Sequence, residues 1–312
     1  MSVAKGQKGR RARLPDYGNM PKELTKADTA KAVVVPVPLE KTVTYLKGTG
    51  RGPAAILEAS THMEFYDEAL DRQTVRVGIH TDKPVDCSGS LSSCVDNTHK
   101  RALHWFRKGL FPVFLGGEHS ISVGVFRALR EIHGPVTIFQ IDAHADLRES
   151  YHGTPLNHAC IMARAHDEGH SLVQVGIRSL TRVEAEKIRS SRNIHTFFDH
   201  DRSWRREGFP SIAKHIKGKV YVTVDVDGLS PTLMPATGTP EPGGLDWHET
   251  MALLNMVYAR SEVVGADVNE LMPRPGLESC DFLCSRLVYR LIGLKARQAR
   301  WPHRNADLGT DD

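Results

Sequence analysis

Two kinds of apolar pattern alternate along the chain. Short apolar runs recur at residues 32–37, 75–79, 111–115, 136–141, 172–177, 194–198, 220–226 and 263–268. Longer stretches of mixed, helix-like pattern lie between or beyond them, at 53–70, 96–108, 120–132, 158–168, 182–190, 247–260 and 282–294. Strand and helix in alternation is the signature of a parallel α/β sheet. Several of the short runs are apolar almost throughout, as expected when helices cover both faces of a sheet.

Within residues 29–298 there is no internal repeat and no low-complexity linker, so one domain is expected there. Residues 1–28 are expected to form a basic, flexible tail and 299–312 a polar one. Composition alters this little. Of 312 residues, 40% are apolar and 25% charged, which is ordinary for a soluble globular chain with a sizeable core. No run of 18 apolar residues occurs, so no membrane span is expected. Lys5, Lys8, Arg10, Arg11 and Arg13 precede no apolar stretch, so they are not read as a secretory signal.

The net charge of +4 is small and sits largely in that N-terminal segment, with Arg300 and Arg304 at the other end. Solvated ends account for it. No base-reading motif accompanies it, so neither nucleic acid nor a membrane is expected as a partner. Five cysteines, at 87, 94, 160, 280 and 284, make an odd number that points to a reducing cytoplasm. Cys280 and Cys284 lack a second ligand pair and read as buried free thiols rather than a zinc site.

The candidate chemistry sits where three of the runs end. The run at 111–115 leads into Gly116-Gly117-Glu118-His119-Ser120. The run at 136–141 leads into Asp142-Ala143-His144-Ala145-Asp146. The run from 220 leads into Asp225-Val226-Asp227-Gly228. Open α/β sheets bind ligands outside the carboxyl ends of their strands. Alternate residues of an extended strand point the same way, so Asp142 and His144 can address one point, as can Asp225 and Asp227. A lone Asp-x-Asp at a strand end is often only a turn or a helix cap. Four carboxylates crowded in one cleft are another matter: they repel unless cations neutralise them. Two divalent ions would balance the four charges, and mixed imidazole and carboxylate ligands suit Mn²⁺, Zn²⁺ or Fe²⁺.

These three segments, with Pro235-Ala236-Thr237-Gly238-Thr239-Pro240-Glu241-Pro242-Gly243-Gly244-Leu245, resemble the signatures of the ureohydrolase family of arginases and agmatinases, over about residues 32 to 294. The resemblance implies a three-layer α/β/α fold with a mostly parallel sheet of about eight strands, and a centre of two Mn²⁺ per chain. Carried over by position, His119, Asp142, Asp146 and Asp225 would hold one ion. Asp142, His144, Asp225 and Asp227 would hold the other, with Asp142 and Asp225 bridging. It also implies a bridging hydroxide that attacks a guanidinium carbon and leaves urea, and metal ions do lower the pKa of water enough for that.

Glu270, in Asp267-Val268-Asn269-Glu270, matches the family's acidic residue that grips the guanidinium. A carboxylate can do so through paired hydrogen bonds. The leaving amine needs a proton. Two histidines are candidates for carrying it: His158, directly before a predicted helix and better spaced, and His152, in Tyr151-His152-Gly153-Thr154-Pro155. The chain departs from the pattern at Glu118 and Ser230, where many members have Asp.

The motif around Glu241 and the segment around Tyr45 are most similar to bacterial agmatinases, which makes agmatine, cleaved to putrescine and urea, the first choice of substrate. Guanidinobutyrate, guanidinopropionate, other substituted guanidines, arginine and formiminoglutamate are the alternatives. Glu149 is a candidate for meeting an ammonium tail, though a plain surface role is the simpler reading. The resemblance also implies a homotrimer or homohexamer, with the predicted helix near 282–294 contributing to the contact. Two readings from other classes are a non-catalytic subunit on the same fold and a mononuclear zinc amidohydrolase.

Overall fold

Alternate residues of the apolar runs go to opposite faces of one sheet, and each face is sealed by helices. In chain order the computed structural model, which describes residues 14–306 and 308, contains Lys22–Thr25 (α1), Ala32–Val37 (β1), Gly52–Ser60 (α2), Tyr66–Asp67 (β2), Arg72–Gln73 (β3), Ile79–Thr81 (β4), Leu91–Arg107 (α3), Phe111–Gly116 (β5), Ser122–His133 (α4) and Thr137–Ile141 (β6). There follow Ile161–Asp167 (α5), Ser171–Ile177 (β7), Arg182–Ser190 (α6), Ile194–Phe198 (β8), Pro210–Ala213 (α7), Val220–Asp225 (β9), Trp247–Arg260 (α8), Val263–Asn269 (β10) and Glu278–Gln298 (α9). Eight strands form one parallel sheet in the order β4-β1-β5-β10-β9-β6-β7-β8. Ala32, Val34, Val113, Phe139 and Val222 pack with α2, α8 and α9 on one face. Val33, Val35, Phe114, Ile138 and Leu172 pack with α3, α4 and α5 on the other. The result is a three-layer α/β/α arrangement.

Local chemistry fixes several helix starts. Thr181 and Asp246 each accept from the backbone three residues on, while Glu184 and Glu249 reach back, so α6 and α8 begin with capping boxes. Ser90 Oγ accepts from Ser93 N–H, which starts α3 at Leu91, five residues before the expected boundary.

The sequence expectations need correction in five places. The expected helix over 53–70 ends at Ser60, and β2 and β3 then form a short hairpin. Ser60 Oγ, buried at that end, accepts from Gly18 N–H and donates to Leu57 O. The expected strand over 75–79 begins only at Ile79. Thr74–Val77 forms a 3₁₀ turn instead, since Val75 N–H donates to the Tyr289 hydroxyl and Gly78, at φ 79°, breaks the extended chain. The segment 14–28 is not a tail: Tyr17 and Leu24 are fully buried, and the Tyr17 hydroxyl donates to Ser285 O at 2.7 Å. Residues 301–306 are likewise held, with the Arg76 guanidinium donating to Arg304 O and Ala306 O. The basic residues from Lys5 to Arg13 lie outside the described residues. The apolar side chains of α9 are not free for a partner either. Leu287, Val288, Leu291, Ile292 and Leu294 are buried within the chain itself, and Phe282 is the exposed large apolar residue of that helix.

Cys87 and Cys94 are joined as a disulfide, while Cys160, Cys280 and Cys284 are free and buried. The odd cysteine count gave no sign of that pair. No helix among the described residues is long and apolar enough to cross a membrane.

Candidate metal centre

The sheet order places the carboxyl ends of β5, β10, β9 and β6 side by side at its middle. The chain passes from β5 to β6 over two places that β10 and β9 fill later. That crossing is a switch point, where open sheets leave a crevice. His119 follows β5 in a 3₁₀ turn, Asp142 follows β6, Asp225 ends β9 and Glu270 follows β10. Close backbone approach makes this possible. A Cβ on Gly117 would lie 2.0 Å from Leu39 O, and one on Gly228 would lie 2.6 Å from Asp142 N.

Six expected ligands come together in two groups. His119 Nδ1 lies 3.3 Å from Asp142 Oδ2, 3.3 Å from Asp225 Oδ2 and 3.5 Å from Asp146 Oδ2. His144 Nδ1 lies 3.0 Å from Asp227 Oδ2 and 3.7 Å from Asp142 Oδ1. Asp142 belongs to both groups. His119 Nδ1 is buried and makes no hydrogen bond. Its other ring nitrogen, Nε2, sits 2.7 Å from Thr223 Oγ1, and that hydroxyl donates to Asp267 Oδ1. The Thr223 proton is therefore committed, so Nε2 carries a ring hydrogen and Nδ1 is the nitrogen left to face the carboxylates. Without metal, burial opposes a second ring proton, but the surrounding aspartates draw one onto Nδ1 and hold His119 well above the usual histidine value. A divalent ion can take the place of that proton, so the donor set fits a metal.

Electrostatics agree. Burial, reinforced by neighbouring aspartates, holds Asp225 and Asp146 well above the usual carboxylate range. Burial opposes charge on Asp142 too, but His119 and His144 outweigh it and hold Asp142 low. Burial likewise opposes protonation of His144, and Asp227 and Asp142 overcome it. Without metal the cluster keeps protons that divalent ions would displace.

Beneath the ligands runs a feature with no counterpart in the motifs. Asp267, Thr223, Gln140, Gln174 and Thr196 stand in register on β10, β9, β6, β7 and β8. Gln140 Nε2 donates to Asp142 Oδ2 at 2.7 Å, Gln174 Nε2 donates to Gln140 Oε1, and Thr196 donates to Gln174 Oε1. At the other end of the row Ser122, Tyr221, Thr223 and Asn269 all donate to Asp267. This polar row orients the ligands from below. Its only sequence signal is a polar residue interrupting an otherwise apolar strand. Arg178 was also missed: it donates to the carbonyls of Gly176, Asp227, Leu229 and Glu241, which ties the Glu241 loop to the centre.

Glu270 has φ 66° and Asp146 φ 51°, a left-handed backbone that costs a non-glycine residue on the order of 1–3 kcal/mol. Glu270 is held there by its N–H on Gly117 O, while its Oε1 accepts from His119 N–H at 2.7 Å. Burial pushes its carboxyl up to about 8. Glu270 and His158 line the same narrow cleft as His144, Asp146, Asp225 and Asp227. Burial holds His158 below the usual histidine value. His152 is exposed and lies with its ring tilted against Tyr151, outside that cleft. Beyond the cleft opens a cavity of about 260 Å³ lined by His144, Arg148, Tyr151, His158, Ser179 and Thr239 among others. Glu241 reaches to 3.8 Å from His144 Nε2. Glu149 is taken by Lys187 at 2.5 Å and Arg164 at 2.9 Å, so the structure leaves it no part in the cleft. Ser230 bonds only to Thr232 through its hydroxyl proton or lone pairs.

A buried cluster of imidazole and carboxylate donors at the switch point of a parallel α/β/α sheet is suited to hold divalent metal ions. The arginase family model matches residues 30–293, and the chain belongs to that family. It is 37% identical over 281 residues to an N(1)-aminopropylagmatine ureohydrolase of Synechocystis sp., covering 86% of this chain and 90% of that one. It is 31% identical to an agmatinase of Pyrococcus horikoshii, covering 91% and 99% of the two chains. The crystal structure of the agmatine ureohydrolase of Thermoplasma volcanium superposes with a TM-score of 0.78 at 28% identity, covering 88% and 92%. The chain is thus an arginase-family ureohydrolase, a hydrolase acting on the C–N bond of an amidine.

Proposed function

We propose that this ureohydrolase takes an agmatine-type substrate, a guanidinium on an alkyl chain ending in an amine, and releases urea and the diamine or polyamine. Agmatine itself, giving putrescine, is the first choice. The observation that carries the hydrolytic reading is the unbonded, buried Nδ1 of His119 facing three aspartates in a cleft shared with Glu270 and His158. His119, Asp142, Asp146 and Asp225 would hold one Mn²⁺, and Asp142, His144, Asp225 and Asp227 the other. When bound, the ions supply Lewis acidity, which makes water acidic enough to act as a nucleophile at neutral pH.

Glu270 binds the guanidinium. Its burial disfavours a bare carboxylate, so pairing with a cation relieves the cost. His158 holds the proton that the leaving amine takes on its nitrogen. Glu241, at the mouth of the site, is the carboxylate that an ammonium tail can meet. The substrates named for the two ureohydrolase relatives above support the amine-ended class, and the cavity beyond the cleft leaves room for a tail longer than that of agmatine.

The test is urea release with Mn²⁺ from agmatine, aminopropylagmatine, arginine and guanidinobutyrate, compared by kcat/KM. Preference for either amine-ended guanidine is expected. Preference for arginine or guanidinobutyrate would overturn the substrate class and leave the ureohydrolase standing. A metal content near one per chain would favour the mononuclear reading over two Mn²⁺.

A further inference from the structure

Glu118, where many ureohydrolases carry Asp, lies fully buried one residue before His119 and does not face the cluster. Its longer side chain reaches the loop after β1. Oε2 accepts from Lys41 N–H and Thr42 N–H, both at 2.6 Å, and Oε1 accepts from the Thr42 hydroxyl at 2.9 Å and from the Ser120 hydroxyl. Four donors converge on one carboxylate, three of them from a loop about 76 residues away in sequence. The same Thr42 hydroxyl lies 2.9 Å from His158 Nδ1 and accepts from His158 N–H at 3.2 Å.

A threonine hydroxyl has one proton. Here Glu118 takes it, so the oxygen can only accept from His158. Nδ1 of His158 must then carry a hydrogen in every state of the ring. Nε2 is left as the one nitrogen able to gain and lose a proton. We infer that Glu118 and Thr42 are positioning residues that lock His158 into the Nδ1–H tautomer and aim Nε2 at the reaction. The inference rests on the reading of His158 as proton carrier. The proton passes from Nε2 to the nitrogen of the leaving amine as its bond to the guanidinium carbon breaks. The ring is left neutral with its hydrogen on Nδ1, the form that Thr42 holds. A free imidazole would divide between two tautomers and rotate, and catalysis by a positioned acid depends on neither happening.

The extra methylene of Glu118 is what makes the connection. An aspartate on the same backbone would fall about 1.5 Å short, leaving the Lys41 and Thr42 donors without their acceptor. The relay also anchors the loop from which Val43 and Thr44 line the cleft, so one carboxylate ties the wall of the site to its proton carrier.

Thr42→Val keeps the shape and removes the hydroxyl; Thr42→Ser keeps the hydroxyl. With His158→Asn as the benchmark, Thr42→Val should lower kcat roughly tenfold to hundredfold, a part of the ~10²–10⁴ a positioned acid contributes. KM and metal content should stay within about twofold, and Thr42→Ser should restore most of kcat. Thr42→Val added to His158→Asn should cost nothing further. In the metal-free, ¹⁵N-histidine-labelled chain, the signal that His158→Asn removes should be that of an Nδ1–H tautomer, and Thr42→Val should convert it to a mixture. Glu118→Asp should resemble Thr42→Val. If His158→Asn lowers kcat and Thr42→Val does not, the relay is wrong while the proton carrier stands. A full Thr42→Val loss on top of His158→Asn also overturns the relay. If His158→Asn leaves kcat unchanged, the proton-carrier reading falls first and the inference with it.

Discussion

Asp67 and Asp225 are both sealed from water, and the fold balances them by opposite means. Asp67 follows the loop after α2 and meets Arg290 of α9, with Nε 2.8 Å from its Oδ2. The chain thus supplies its own cation, on a residue 223 positions away. Around Asp225 stand Asp142, Asp146 and Asp227, and among the described residues no lysine or arginine lies within 4.0 Å of any of these four carboxylates. Only two histidines approach. One cluster is closed and serves stability; the other is left open, stable only with protons or with cations from outside. A buried charge therefore marks function when its counter-charge is missing, not simply because it is buried.

The contrast can be broken most directly at the open cluster. Asp142→Ala or Asp225→Ala should abolish binding of both metal ions and lower urea release by at least about a thousandfold, the equivalent of the several kcal/mol that metal polarisation supplies. Elemental analysis and single-turnover assays check this, and two ions with near-normal turnover in either variant would remove both residues from the centre. At the closed cluster Arg290→Met should destabilise the chain by about 3–5 kcal/mol, because Asp67 is left buried and unpaired. Metal content of the folded fraction should not change. Urea denaturation followed by metal analysis separates the two, and loss of metal ahead of unfolding would show the clusters to be linked.

A change of sign sharpens the comparison further. In the metal-free chain Asp225→Asn should raise stability at pH 7 by about 0.5–2 kcal/mol, since it removes a buried carboxyl that must take up a proton on folding. Asp67→Asn should lower it. Matching signs in chemical denaturation would erase the distinction. The smallest effect belongs to like charges crowded in the open. His215 stacks on His195 at 3.7 Å beside Lys214 and Lys217, and partial burial together with these neighbours depresses its pKa to about 4. A histidine depressed in the folded state contributes stability above its unfolded value of about 6.5. That contribution drains away as the pH falls from there to about 4. His215→Gln should flatten the melting temperature against pH across that window and leave kcat unaltered. An unchanged slope would assign the acid sensitivity elsewhere.

The open cluster was legible in the sequence because its residues follow strands in short, fixed spacings. The pleat and the sheet's carboxyl edge then bring Asp142, His144, Asp225 and Asp227 together with little help from the rest of the chain. The closed cluster left no such trace: Asp67 and Arg290 share no local pattern, and only the docking of α9 makes them neighbours. Thr42 was invisible for the same reason, being a loop residue whose role comes from Glu118. Glu118 itself stood out only as a departure. Gln140 and Gln174 interrupt apolar strands without belonging to any motif, and what they do emerges only when register aligns β6 with β7. The N-terminal segment was misjudged on composition, since its many charged residues outweigh the few apolar ones, Tyr17, Met20 and Leu24, that tie it down.

The strand order also dictates when a nascent chain can mature. β1, β4 and β5 form one wing and β6, β7 and β8 the other, and both leave the ribosome well before the strands that join them. In the finished sheet β9 and β10 fill the space of about 14 Å, three strand spacings, between β5 and β6. Joining the part of the centre carried by β5 to the part carried by β6 in this sheet therefore needs both β9 and β10 in place, and β10 ends at Asn269. The centre is thus closed by the last strand of the chain, and a chain ending before Val263 would lack the strand that separates β5 from β9 and would leave both edges unpaired.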